Sequence, residues 1–281
     1  MPQNKTDKSL GGSQAPGVCS RSSVLPAAFT VMELLVTIAV IALLIAVLYP
    51  IARKARGQTR ATVCISNLKQ WSLGYQLYAT ENDSKYPPTD LMDTTNIWMT
   101  KLSTYCSDIQ AVRHCPCAVK VNKEGQIPIG VLGTTKRAWY LSAPFDLPPQ
   151  FRCGSYAENV YISKPPTELN LDSISGSLTN YWSGPEEKGA GQTPLLIDAR
   201  WYIIAPDDTQ PLPVNGEIVV NDTSKTWIDS AAMKRHTDGV NTLFMNGSIV
   251  KINAEELWNL KWHRNYPKRG KVPLPNMGSD I

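Results

Sequence analysis

Cysteine and histidine are the residue types in this chain best suited to bind a metal, form disulfides or act as nucleophiles. The chain has six cysteines and three histidines. His114, Cys115 and Cys117 lie close together, but no second ligand pair follows at the spacing of a zinc finger. No serine or cysteine stands at a spacing from His236 that indicates a nucleophile and its base. Phosphate-loop, dinucleotide-binding, triad and zincin motifs are absent. We therefore expect no metal, no cofactor and no enzymatic activity.

Two other kinds of binding site stay open at this stage. Asp207, Asp208, Asn221 and Asp222 are oxygen donors in predicted loops, but they lack the dense alternation of ligands that a calcium loop requires. Eight tryptophans offer enough flat apolar surface for a sugar-binding face. A β-rich domain of this size is nevertheless expected to bury most of them. The sequence decides neither question.

Residues 236–247 form a candidate structural motif that runs from His236 to Asn246-Gly247. Val240, Thr242 and Phe244 alternate along one arm of a β-hairpin, as residues on one face of a strand do, and Ile249 with its neighbours forms the other arm. Asn246-Gly247 is typical of a type I′ turn. We expect His236 to fix this loop by hydrogen bonding rather than to act as a base.

Composition limits the classes of function. The 281 residues suffice for one large or two small domains with a real core. A net charge of +4 is too small to indicate nucleic-acid binding. The apolar residues are unevenly distributed, and their densest run lies near the N-terminus.

Residues 29–49 form that run: thirteen of the 21 are Leu, Ile, Val or Phe, and Glu33 carries the only charge. A helix of this length spans about 31 Å and matches a bilayer core of about 30 Å. Its apolar residues favour insertion by about 4–8 kcal/mol, against about 2.5–3.5 kcal/mol or less for the carboxylate. Because the basic residues precede the run, residues 51–281 are expected outside the cytoplasm.

The start of this run carries a recognisable motif. Ala28-Phe29-Thr30-Val31-Met32-Glu33 resembles the processing site of type IV prepilins and type II secretion pseudopilins. The alternatives are a secretory signal peptide, which would have a shorter apolar core and a small-residue cleavage site after it, and a plain signal anchor.

The resemblance implies roles for four residues. Prepilin peptidase would cut between Ala28 and Phe29, and Phe29 would become the N-methylated first residue. Glu33 would then be the fifth residue, where the N-terminal amine of a neighbouring subunit neutralises its charge. Pro50 matches the proline that kinks the helix in this family.

Later segments are similar to a subgroup of pilin-like proteins with a C-terminal H-x9-D-G signature. The matching segments are Cys64-Ile65-Ser66-Asn67-Leu68-Lys69-Gln70, Cys115-Pro116, Ser155-Tyr156-Ala157-Glu158-Asn159, and His236 to Asn246-Gly247. Asn246 replaces the aspartate of the signature, which weakens a metal or catalytic interpretation and leaves the turn intact.

Disulfides are the remaining chemistry that the cysteines suggest. Five cysteines follow the leader, and an oxidising compartment permits two disulfides with one thiol left over. The resemblance favours Cys64 with Cys115, since both lie in its markers. Cys106 or Cys117 with Cys153 would be the second pair.

These elements predict an α+β fold in which a long helix packs on an antiparallel β-sheet. Residues 1–28 are the expected leader, residues 29–80 the long helix with a kink near Pro50, and residues 81–281 the exported domain. The second half of the helix has an apolar stripe at helical spacing. The stripe consists of Ala61, Cys64, Leu68, Trp71, Tyr75 and Tyr78.

The resemblance implies a pseudopilin or pilin-like structural subunit. Its expected partners are prepilin peptidase, other pilin or pseudopilin subunits and an inner-membrane assembly platform. The expected location is a single pass through the inner membrane, with a periplasmic domain that can enter an extracellular fibre. A membrane-anchored ectodomain that binds polysaccharide without polymerising is the alternative, and an exported hydrolase a third.

Overall fold

The computed structural model describes residues 29–88, 97–118, 132–141, 147–148, 151–162, 177–208, 210, 228–231, 235–236 and 239–270. A long apolar helix stands at the N-terminal end of this part, and a mixed β-sheet domain follows, which is an α+β layout. The chain divides into two units, residues 1–50 and 51–281. The predicted leader lies outside the described residues.

The long helix α1 runs from Val31 to Glu81, close to the predicted bounds, and contains Pro50. Its start is fixed by a capping box, in which the Thr30 Oγ1 accepts the Glu33 amide at 3.2 Å. The Glu33 carboxylate in turn accepts the Thr30 amide and hydroxyl, both at 2.9 Å. The kink at Pro50 stays a prediction.

The second half of α1 buries the middle of the predicted stripe, while Ala61 and Tyr78 at its ends are half-buried. Cys64, Leu68, Trp71 and Tyr75 are fully buried. The Trp71 indole donates to the Val112 carbonyl at 3.1 Å, so an apolar ring is buried without losing a hydrogen bond. The predicted amphipathic helix is therefore confirmed.

Short helices follow α1. They are α2 (Trp98–Lys101) and α3 (Ile109–Val112), with single 3₁₀ turns at Ser103–Tyr105, Val160–Ile162, Leu178–Asn180, Ala190–Gln192 and Ile228–Ser230 and a longer one at Ala254–Asn259. Val160–Ile162 forms a 3₁₀ turn, although its three apolar residues are also typical of a strand. The Asn159 side chain accepts the Tyr161 amide at 3.2 Å and donates to two carbonyls, which turns the chain away from the sheet.

Seven strands are described. They are β1 (Trp139–Tyr140), β2 (Cys153–Gly154), β3 (Tyr156–Asn159), β4 (Pro194–Asp198), β5 (Ile203–Ile204), β6 (Gly239–Phe244) and β7 (Ile249–Asn253). Strands β1 and β2 pair as a two-stranded ribbon, and the larger sheet has the order β5-β3-β4-β6-β7.

The expectation of a purely antiparallel sheet was wrong, because β5 is parallel to β3. Strand β4 is antiparallel to β3 and has β6 on its other edge. The chain reverses after β4, and both edges of β4 are taken, so β5 joins the free edge of β3 in the direction of β3.

Apolar residues lie on both faces of this sheet. Leu196 and Leu243 belong to the cluster that contains the buried stripe of α1. Ile197, which follows Leu196 on β4, and Val240 on β6 belong to a second cluster with Trp258. The sheet is therefore a central layer with a core on each side.

Candidate functional site

The fold brings together the functional groups of Cys64, Cys115, Asp198 and His236. Their sulfur, nitrogen and oxygen atoms all lie within 4.8 Å of one another, and all four residues are buried. All four belong to the unit that begins at residue 51.

Each of the four comes from a different element. Cys64 belongs to the buried stripe of α1, and Cys115 follows α3 in a segment tied to α1 because the Asn67 side chain donates to the His114 carbonyl at 2.9 Å. Asp198 ends β4. His236 precedes β6, and its amide donates to the Gly239 carbonyl at 3.2 Å.

Direct contacts link the four side chains. His236 Nε2 lies 2.9 Å from Asp198 Oδ2 and 3.3 Å from the sulfur of Cys115. The sulfur of Cys64 lies 3.4 Å from Asp198 Oδ2. The carboxylate and the imidazole therefore stand between two thiols.

Outer groups hold these side chains in place. The Tyr156 hydroxyl lies 3.4 Å from the sulfur of Cys64, and the sulfur of Cys117 lies 3.6 Å from His236 Nδ1. Asp198 accepts the Asn241 amide at 3.1 Å.

Arg235 supplies a buried positive charge next to the cluster. Its Nη1 lies 3.4 Å from Asp198 Oδ1, and neither side chain is exposed to solvent. The guanidinium also donates to the carbonyls of Ser155 at 2.7 Å, Thr134 at 2.9 Å and Ala199 at 3.1 Å. Such a fork of hydrogen bonds fixes the charge, so it cannot swing away from the carboxylate.

The electrostatics of the cluster are those of a buried ion pair. Burial alone would raise the pKa of Asp198, but the His236 hydrogen bond and the charges of Arg235 and His236 hold it below its usual value. Burial alone would lower the pKa of His236, and the contacts with Asp198 and the thiols raise it to about 12. Burial raises the pKa of Cys115 to about 12.

The predicted Cys64–Cys115 disulfide is not formed in this structure, where none of the five described cysteines is in a disulfide. The two sulfurs nevertheless lie within 4.8 Å of each other, so the pairing stays a prediction. Cys106 and Cys153 form no disulfide either, and neither belongs to the four-residue cluster.

The predicted assembly residues stand apart from this cluster in sequence. Phe29 precedes α1, Glu33 lies in its first turn, Pro50 lies inside it, and Ala28 is outside the described residues. Among the described residues, α1 alone is long and apolar enough to cross a membrane, judged by length and composition.

The 236–247 motif forms the expected hairpin of β6 and β7, but its turn differs from type I′. Gly247 has a φ of 79°, whereas Asn246 does not have a positive φ, and type I′ requires both. The Phe244 amide donates to Ser248 and the Gly247 amide to Phe244. This is a three-residue loop with glycine in the left-handed position, and the Asn246 side chain accepts the Ser248 amide at 2.9 Å.

The two open questions of the sequence gain partial answers. Seven of the eight tryptophans are described and all seven are buried, so they do not form an exposed sugar-binding face. Asp207 is buried and Asp208 is exposed, while Asn221 and Asp222 lie outside the described residues.

Sequence reasoning did not connect Asp198 with the other three members of the cluster. Cys64, Cys115 and His236 each lie in a segment that resembles the pilin-like subgroup, but their grouping depends on the fold. The only local signal for Asp198 is a carboxylate directly after the apolar run Leu195-Leu196-Ile197. The absence of a second ligand pair near Cys115 in sequence is therefore a weak argument against a metal.

Comparison with family models, curated proteins and solved structures gives no match to this chain. The functional argument therefore depends on the chain's own residues and their geometry.

Proposed function

We propose that this chain is a pilin-like structural subunit of a type II secretion pseudopilus or a type IV pilus-like fibre. Prepilin peptidase would cut it between Ala28 and Phe29 and methylate the new N-terminus. The observation that carries the proposal is the first part of α1, which is apolar, exposed and interrupted by a single charge at Glu33. The role is mechanical rather than catalytic.

The exposure of this segment supports the proposal because it demands an apolar environment. Every large apolar residue from Phe29 to Ile51 is more than half exposed. Full burial of such a side chain is favourable by about 1.5–3 kcal/mol, so sixteen of them in water would be strongly unfavourable. Lipid before assembly and neighbouring helices after it would both supply the missing cover.

The position of Glu33 supports a link between processing and assembly. The capping box places the carboxylate at the first turn of α1, three residues after Thr30. A cut after Ala28 would create a free amine only one residue before Thr30. In an assembly of neighbouring subunits, the N-terminal amine of one chain would then lie close to the Glu33 carboxylate of the next chain.

The proposed setting follows from the same segment. The chain would cross the inner membrane once, with a cytoplasmic leader and residues 51–281 in the periplasm. Its partners would be prepilin peptidase, other pilin or pseudopilin subunits and the inner-membrane assembly platform.

Mass spectrometry of the protein extracted from membranes tests the proposal. We expect the N-terminal peptide to begin with N-methylated Phe29. The matched control is a Phe29-preserving Ala28→Leu variant, in which the small residue before the cut is lost and the leader is expected to remain. A chain that begins at Met1 in the wild type, or at any other residue than Phe29, would refute the proposal.

A further inference from the structure

We propose that Cys64, Cys115, Asp198 and His236 bind one structural zinc ion inside the β-sheet domain. The site is independent of the proposed pilin role, since none of its residues takes part in processing or in the apolar segment of α1.

The distances suit a tetrahedral zinc ion. Zinc lies about 2.3 Å from thiolate sulfur and about 2.0–2.2 Å from imidazole nitrogen or carboxylate oxygen, which sets the edges of the tetrahedron at about 3.3–3.8 Å. The contacts of 3.4 Å between Cys64 and Asp198 and 3.3 Å between Cys115 and His236 fall in that range. The 2.9 Å contact between His236 and Asp198 needs to open by a few tenths of an ångström.

The ligand types select the metal. Two sulfurs, one imidazole and one carboxylate form a set of N, S and O donors that zinc prefers, whereas calcium and magnesium require oxygen ligands. All four side chains come from the protein and all are buried, which leaves no open position for a substrate. The site is therefore of the closed, structural kind.

The outer contacts match those of a metal centre. His236 can use Nε2 for the metal because its Nδ1 faces the sulfur of Cys117 at 3.6 Å. Asp198 receives the Asn241 amide and the Arg235 guanidinium, and the Tyr156 hydroxyl lies against Cys64. Three of the four ligands thus have an orienting partner outside the ligand set.

Charge balance favours a divalent cation. On binding, each thiol and the His236 imidazolium release one proton to the buffer, so His236 binds as the neutral imidazole. The two thiolates and Asp198 then carry three negative charges. One Zn²⁺ and the buried Arg235 carry three positive charges, so the bound cluster is neutral.

Bound zinc would connect parts of the domain that are distant in sequence. Cys64 and Asp198 are 134 residues apart, and Cys115 and His236 are 121 residues apart. The ion would tie α1 and the segment after α3 to one end of β4 and to the start of the β6–β7 hairpin. Zinc would also keep Cys64 and Cys115 from forming a disulfide in an oxidising compartment.

The experiment measures zinc in the full chain, purified in detergent without chelators, by elemental mass spectrometry. We expect about one zinc ion per chain. Cys64→Ser and Asp198→Asn should each lower the zinc content at least tenfold, and Tyr156→Phe should weaken binding by about 10–100-fold. Cys106→Ser and Cys153→Ser are matched controls outside the cluster and should retain the metal.

A second measurement does not depend on how well the ligand variants fold. The wild-type chain, stripped of metal and titrated with Co²⁺, should develop the visible bands of a tetrahedral ion and the charge-transfer band of thiolate ligands. Absence of zinc from the wild type together with absence of these bands would refute the site. Equal zinc content in the Cys64→Ser/Cys115→Ser variant, or a Cys64–Cys115 disulfide in the non-reduced peptide map, would also refute it.

Discussion

Both parts of α1 are helical, but the first part is exposed to solvent and the second part buries one face. From Val31 to Pro50 no described residue is buried, although nearly all of them are apolar. From Ile51 to Glu81 the helix is largely polar, yet eight of its residues are buried. The apolar surface of the first part is therefore left uncovered by the described chain, whereas the second part packs against its own domain.

The sequence patterns of the two parts explain the difference. A helix that is apolar on all sides has no polar side to expose to water. Apolar residues spaced alternately three and four apart instead form one apolar face of a helix whose other faces are polar. Helical propensity is similar in both parts, so it does not distinguish them. What distinguishes them is where the apolar side chains point, and four variants or pairs of variants test that distinction.

The largest effect is expected from charges in the first part. Lysine at Ile38 and Ile41, near the middle of the apolar run, would oppose membrane insertion by about 5–7 kcal/mol in total. We expect the Ile38→Lys/Ile41→Lys variant to leave the membrane fraction in carbonate extraction. The same change at Leu73 and Leu77, exposed positions of the second part, should leave membrane association unchanged. Equal extraction of both double variants would contradict the assignment of the first part to lipid.

A smaller effect is expected from truncation in the buried stripe. Trp71 is fully buried, donates to Val112 and meets the ring of Trp98 edge-on at 4.8 Å. Trp71→Ala should lower the free energy of unfolding by about 3–5 kcal/mol, measured by denaturant titration in detergent. Leu73→Ala, two residues further on and half exposed, should cost less than about 1 kcal/mol. Similar losses in the two variants would contradict the division of faces.

The acid sensitivity of folding is also expected to belong to the unit that begins at residue 51. His263 is buried against the rings of Tyr161 and Tyr266, and burial lowers its pKa to about 4 despite the nearby Asp208 and Asp207. Between pH 6.5 and about 4 the unfolded chain takes up a proton that the folded chain does not. The contribution of His263 to the free energy of unfolding should therefore be constant above pH 6.5. Below pH 6.5 the free energy of unfolding should fall as the pH decreases towards 4.

Protonation of His263 in the unfolded chain is expected to lower the free energy of unfolding by about 2 kcal/mol, once partial access of water to the folded side chain is allowed for. His263→Phe removes the titrating group and keeps an aromatic ring, so the slope below pH 6.5 should flatten even if the stability at pH 7 changes. The measurement is denaturant unfolding at a series of pH values. An unchanged slope in the variant would assign the acid sensitivity to other groups.

What the sequence predicts well in this protein is local. The bounds of α1 and its buried stripe follow from composition and spacing within a few turns of helix. The β6–β7 hairpin follows from alternation over neighbouring residues. Its turn was predicted less well, because several loops place Gly247 in the left-handed region and only the hydrogen bonds of Phe244 distinguish them.

What the sequence predicts poorly depends on long-range pairing. The parallel β5 depends on which strand edges are already occupied, and the end of β3 depends on the side chain of Asn159. The four-residue cluster is the clearest case, since Cys64 meets Asp198 across 134 residues. Spacing rules for metal sites work when ligands lie on one loop, and they do not apply when every ligand comes from a different element.

The smallest effect is expected at Glu33. Its carboxylate has a contact within its own chain and, under the proposed function, a second contact with a neighbouring chain. Within the chain it closes the capping box with Thr30, and loss of such a cap costs about 1 kcal/mol. Between chains, under the proposed function, its charge pairs with an N-terminal amine. Glutamine can replace glutamate in a capping box but has no charge, so Glu33→Gln separates the two roles.

We expect Glu33→Gln to insert normally and to keep the helix start, but to lose crosslinking to neighbouring subunits. Thr30→Val, the matched control, removes the capping hydroxyl and keeps the charge, so assembly should persist with a helix start weakened by about 1 kcal/mol. Membrane extraction, circular dichroism and crosslinking in the native membrane distinguish these outcomes. If Glu33→Gln assembles as the wild type does and Thr30→Val does not, the carboxylate is a helix cap alone, and the first part of α1 assembles through its apolar surface without a charge pair.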